Sequence, residues 1–147
     1  VIAELPDYPI LQTDRAIFLA DMGRHASARE ILEQQLRSDP ADMYASYYLA
    51  KILEKEGDFS GSEKLYRSVV YGNPEFSEAY FAIGRLLTKQ GKQGESRFFL
   101  AQYHLYEGKL KLARQGFQMV STARDVSPAI RQKSEEQLEL IERLEDS

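Results

Sequence analysis

At 147 residues, with 43% hydrophobic and 29% charged residues, the chain has the size and balance of one ordinary globular domain. Its net charge of -4 argues against generic nucleic-acid binding, and no apolar run approaches the roughly 18 residues a membrane span needs. Cysteine is absent, which excludes disulfides, thiol catalysis and cysteine-based zinc sites.

The chain starts at Val1 without an initiating methionine, so it is expected to be a piece of a longer protein. Residues 1–8 read as an extension. Eight helices follow, with no competing strand signal. The first pair, about 10–22 and 25–38, meets at Gly23 and stops before Pro40. The second, about 43–56 and 59–72, meets at Gly57 and stops before Pro74. The third, about 77–90 and 93–107, meets at Gly91. A seventh helix is expected at about 109–124, just after Gly108. The eighth, about 128–145, opens with Ser127 as cap and Pro128 at its first position. Its sparse stripe of Ile130, Leu138, Ile141 and Leu144 reads as a solvating cap helix over 126–147.

Gly23, Gly57 and Gly91 stand 34 residues apart, and Pro40 and Pro74 keep the same step. Such a period marks stacked helix-turn-helix repeats. Counting from each glycine, small residues stand seven places before (Ala16, Ala50, Gly84) and five after (Ala28, Ser62, Ser96). Bulky ones stand nine after, at Leu32, Tyr66 and Leu100. Small residues let two helices approach and bulky ones fill the gap. Each glycine suits a left-handed residue ending a first helix.

This pattern resembles the tetratricopeptide repeat over residues 9–125. The first repeat is the poorest match: Gln12 and Arg15 replace an aromatic and an aliphatic. Gly108 lies half a period after Gly91, yet the template fits again, with Leu100-Ala101 before it and Ala113, Phe117 and Val120 after. One helix then serves two repeats, giving repeats at 9–42, 43–76, 77–107 and 94–125. The resemblance implies an all-α fold, a right-handed superhelix of helical hairpins.

Chemistry-bearing patterns are absent. His25 and His104 have no second ligand at metal spacing, and no Gly-rich phosphate loop or Ser-His-Asp set can be assembled. His104 reads as a packed, hydrogen-bonded residue. No catalytic residue, metal or cofactor is expected, and the chain reads as a non-catalytic scaffold.

First helices of such repeats line the concave face. Their outward positions carry Tyr44, Tyr47, Phe81 and Phe98, interleaved with Lys51, Lys55, Arg85 and Lys89. Residues 43–126 hold 12 bases against 9 acids, a mildly basic centre in an acidic chain. These eight residues form the expected groove for a protein or peptide partner with acidic or C-terminal carboxylate groups. The alternative is that the rings pack against adjacent repeats and the bases are solvated. The dicarboxylate clamp known from chaperone-tail binders is not matched, because Thr13 and Ile17 stand where it wants a lysine and an asparagine.

Residues 95–144, with Ser96-Arg97-Phe98-Phe99-Leu100-Ala101-Gln102-Tyr103-His104, then Gly108, Ala113 and a Ser-Pro-initiated charged helix, look like the C-terminal repeat tail of bacterial periplasmic zinc metalloproteases. That resemblance implies an upstream peptidase domain and a periplasmic location. Without it, a cytoplasmic location is the expectation. A second functional reading is self-association or complex assembly through residues 1–22, where Ile2, Leu5 and Tyr8 would form an apolar edge.

Overall fold

The computed structural model describes residues 9–147, with side chains from Gln12 onward. The expected extension and its Ile2, Leu5 and Tyr8 lie outside the described residues. Among the described residues there are eight helices and no strand: α1 (Pro9–Asp21), α2 (His25–Ser38), α3 (Met43–Lys55), α4 (Phe59–Gly72), α5 (Ser77–Lys89), α6 (Gln93–Tyr106), α7 (Leu110–Ser121) and α8 (Pro128–Glu145).

Four turns share one geometry. Gly23, Gly57, Gly91 and Gly108 have φ of 80°, 86°, 77° and 79°. At Gly57 the glycine N–H donates to the Glu54 carbonyl at 3.1 Å and the Asp58 N–H to the Leu53 carbonyl at 2.9 Å. The same pair of bonds closes the turns at Gly23, Gly91 and Gly108. This double closure satisfies carbonyls that a helix end would otherwise leave bare, and it needs a left-handed residue in the middle. Among the described residues no other amino acid adopts a positive φ.

The second helix of each hairpin then starts against the first. Ser62 Oγ donates to the Ala50 carbonyl at 2.7 Å, and Ser96 Oγ to the Gly84 carbonyl at 2.8 Å. The corresponding Ala28 and Ala113 are fully buried without a hydroxyl to satisfy. Close approach fixes Gly84 and Gly116: an added Cβ would lie 3.0 Å from the Leu100 side chain and 2.8 Å from Ala101 Cβ. Asp42, Asp58 and Ser127 accept the Ala45, Gly61 and Ile130 N–H groups as N-caps.

The chain divides after Asn73 into two compact units. In the first, α1 packs on α2, α2 on α3 and α3 on α4, and α1 also meets α3. Ala16, Ala28, Leu32, Ala45, Leu49, Ile52 and Leu53 form its core. In the second, α6 packs on both α5 and α7, α7 packs on α8, and α6 also meets α8. Tyr80, Ile83, Leu86, Phe98, Phe117, Val120 and Ile141 are buried there. Helix α7 stops three residues before the expected end, at Ser121. The chain turns back instead, burying Val126, and the Asp125 carboxylate accepts the Gly94 N–H at 3.2 Å. Gly94 is required there, since a Cβ would lie 2.5 Å from Val126 Cγ1.

Nothing lies within 4 Å of a Cβ added at Gly57 or at the helical Gly72, so the two separate backbone strain from crowding. Gly57→Ala is expected to cost about 1–2 kcal/mol through its left-handed backbone. Gly72→Ala is expected to be neutral or stabilising by up to about 1 kcal/mol. Urea denaturation of the two variants beside the parent chain measures both.

Candidate functional site

On α3, Tyr44, Tyr47, Lys51 and Lys55 recur at three- and four-residue steps, which aligns them on one helix face. Tyr44 is 57% exposed. Tyr47 is half-buried, meeting the fully buried Tyr66 edge-on at 5.7 Å and Tyr48 at 5.3 Å. Tyr66 is anchored in turn, its hydroxyl donating to Glu54 Oε1 at 3.3 Å. Lys51 Nζ lies 5.5 Å from the Tyr47 ring centroid and 5.4 Å from that of Tyr48. One edge of Tyr47 is therefore held by the core while its ring carries a cation, a geometry that holds both groups in place. Beside them is a recess of about 60 Å³, lined by Ala16, Leu32 and Ile52 and by Asp21, His25, Lys51 and Lys55.

The second unit repeats the arrangement on α5. Phe81 is 45% exposed and rests against Tyr103 at 5.2 Å. Arg85 Cζ lies 5.8 Å from the Phe81 ring centroid. Lys89, one turn further on, is exposed in the last turn of α5. Tyr47 and Phe81 are 34 residues apart, and so are Lys51 and Arg85. The cation-on-ring pair thus falls at the same register position in both units.

Phe98 departs from the expectation. It is 4% exposed, edge-on to Phe99 at 5.3 Å and to Phe117 at 5.8 Å. Its place is the core of the second unit, because α6 has α5 on one side and α7 on the other. The rest of that face of α6 is also occupied. Gln137 on α8 donates to Gln102 Oε1 at 2.7 Å, and Tyr106 stacks on Tyr80 at 5.4 Å and 8°. Tyr80 donates to the Pro74 carbonyl at 2.8 Å, and burial pushes its phenol pKa up, with Tyr106 adding to the shift. Seven of the eight expected groove residues therefore remain on two helix faces, one in each unit.

Tyr48 and Tyr103 belong to these clusters and were missed in the sequence. The adjacent aromatics Tyr47-Tyr48 were a usable signal, since consecutive rings on a helix splay to flank one cation. Tyr103 gave none, because its meeting with Phe81 depends on how α5 and α6 pack. Among the described residues no group of three or more His, Asp or Glu side chains could hold a metal ion.

Residues 13–75 match the family model described as tetratricopeptide repeat. Those residues are tetratricopeptide repeats, and the all-helical fold of the chain is like that of solved tetratricopeptide repeat proteins. It is 28% identical over 89 residues to a Pseudomonas aeruginosa protein described as a probable biofilm formation methyltransferase, WspC; the match takes in 60% of this chain and 21% of that protein. The chain therefore spans about a fifth of this curated relative. The crystal structure of MamA superposes with a TM-score of 0.66 at 13% identity, covering 96% of this chain and 80% of that one. The first repeat domain of Spaghetti (RPAP3), bound to the HSP90 peptide SRMEEVD, superposes at 0.50 with 14% identity, covering 95% and 94%. At these identities the structural likeness speaks for the fold. The tetratricopeptide fold is one that generally supports interaction rather than catalysis.

His104 is packed as expected, against Tyr103 at 5.3 Å, but its buried Nδ1 has no hydrogen-bond partner among the described residues. Burial lowers its pKa, and Lys109 adds to the shift. The unfolded chain therefore binds this proton more readily than the repeat domain does. Stability attributable to His104 should be full above its ordinary pKa of 6.5 and fall as pH drops below it. Leu19, Leu53 and Leu87 occupy the equivalent place in the other three turns, so His104→Leu is the natural control. Urea midpoints measured from pH 7.5 to pH 5 should drop less in His104→Leu than in the parent.

Proposed function

We propose that this chain is a non-catalytic module that binds a protein or peptide partner on behalf of a larger protein. The observation that carries this reading is the repeated cation-on-ring pair, Lys51 on Tyr47 and Arg85 on Phe81, half-exposed at the same register position of both units. An aromatic ring gives contact area at low entropic cost, and the cation beside it recognises a carboxylate. The preferred partner is a segment with acidic side chains or a terminal carboxylate, since residues 43–126, which include these clusters, hold 12 bases against 9 acids in an otherwise acidic chain. The recess beside Lys51 and Lys55 suits a short apolar side chain next to such a carboxylate. That the Spaghetti repeat domain was solved with an HSP90 peptide supports the use of this fold for peptides. The likeness of residues 95–144 to metalloprotease tails supports a peptidase as the parent protein and the periplasm as its compartment.

A synthetic array of acidic, neutral and basic octapeptides tests the partner class. Acidic members should bind best and lose binding with added salt, and Lys51→Glu with Arg85→Glu should weaken them by at least about tenfold. Equal binding of basic and acidic members, or no effect of the double variant, would contradict the reading.

A second reading, assembly through α1, is favoured by Phe18 and Met22, which are 53% and 56% exposed. Phe18 holds the register position at which Ile52 and Leu86 are buried. If copies meet on this face, light scattering will show a concentration-dependent dimer that Phe18→Ser abolishes. A monomer at all concentrations would exclude it.

A further inference from the structure

The first helical hairpin carries polar or charged residues at three positions that are buried in the second repeat. Gln12, Arg15 and Gln35 stand where the second repeat has Ser46, Leu49 and Val69, all at most 6% exposed. In the third repeat Tyr80 and Ile83 hold the first two places and are buried. Two of these, Arg15 for Leu49 and Gln35 for Val69, put a polar group in an apolar place, which is costly unless the group is satisfied or used. The seam between α1 and α2 accordingly stays open, as a cleft of about 580 Å³ lined by Gln12, Arg15, Gln34, Gln35, Ser38 and Asp39 together with Ile31. That volume lies within the range of small-molecule sites.

The lining is specific. Arg15 is half-buried, and among the described residues it has no ion-pair partner. A guanidinium in that state presents a planar fork matched to a carboxylate. Asp39 supplies the opposite charge. Its Oδ1 accepts the Ala41 N–H at 3.1 Å, which fixes the side chain and leaves the second oxygen for a ligand. Gln35 is held to the wall by donating to Asp42 Oδ2 at 3.0 Å. The amides of Gln12 and Gln34 can both donate and accept, as an amide-containing ligand requires.

We infer that this cleft is a binding site for a small zwitterion of amino-acid to dipeptide size. The carboxylate lies on Arg15, the ammonium on Asp39, and the polar middle on Gln12 and Gln34. The site is independent of the α3 and α5 clusters, and it explains why the first repeat abandons its apolar positions.

Glycylglycine is the probe, with acetate and ethylammonium as its two halves. Titrated into the isotope-labelled full chain, glycylglycine should shift amide resonances of α1 and α2 saturably, while each half-ligand binds at least about fivefold more weakly. At about 10 mM a ligand of Kd near 1 mM is about nine-tenths bound, so the titration reaches the needed range. Arg15→Leu, which installs the residue of the second repeat, and Asp39→Asn should each weaken binding at least about fivefold while the thermal midpoint of Arg15→Leu stays at or above that of the parent. Arg15→Lys keeps the charge without the fork and should also bind more weakly. Absence of saturable shifts, acetate binding as well as glycylglycine, or unchanged binding in Arg15→Lys and Asp39→Asn would overturn the assignment and leave a solvated polar seam.

Discussion

Every hairpin in this chain depends on one residue in the left-handed conformation. At Gly23, Gly57, Gly91 and Gly108 that residue lets two backbone bonds close a helix end and restart the chain in the opposite direction. An ordinary side chain there would cost about 1–2 kcal/mol, which is a large fraction of a domain's stability of about 5–15 kcal/mol. With the turn fixed, the residue five beyond Gly57 and Gly91 meets the one seven before it, and small residues stand at both places in all four hairpins. Ser62 and Ser96 add a hydroxyl bond across that contact, and Ala28 and Ala113 do without it. The register of the aromatic and basic residues on α3 and α5 follows from the same turns.

The half-step at Gly108 changes what the second unit can do. Two such turns 17 residues apart leave α6 paired on both sides, with α5 before it and α7 after it. A helix so placed has little face left for a partner. Phe98 enters the core, Gln102 is tied to Gln137, and Tyr106 stacks on Tyr80. The expected groove residues that stay outside the core therefore lie on α3 and α5, the first helices of the second and third repeats. The regular repeats leave these helix faces open, and the irregular end closes the second unit.

Much of this was legible in the sequence because it rests on local requirements. A glycine demanded by a positive φ, a small residue demanded by close approach and a Ser-Pro helix start can each be read without knowing the partner residue. Both ends of seven helices agree within one residue for that reason, and the end of α7 is the exception. Its shorter end depends on Asp125 and Val126 folding over Gly94, a contact spanning 31 residues that no local pattern announces. The candidate faces were less legible. Phe98 has the right register and still lies inside, because burial by α7 is a packing outcome. The odd residues of the first repeat, Gln12 and Arg15, are visible as departures, but the cleft they line depends on how α1 and α2 pack.

Native-state hydrogen exchange of the second unit tests the central claim, that α6 is the common partner of α5 and α7 and holds the unit together. The account predicts that the Phe98–Leu105 amides exchange last, only on global opening of that unit, while α8 amides open earlier. If the α6 amides exchange together with α8 at a lower opening free energy, or if α5 stays protected after α6 has opened, α6 is not the shared element and the account fails.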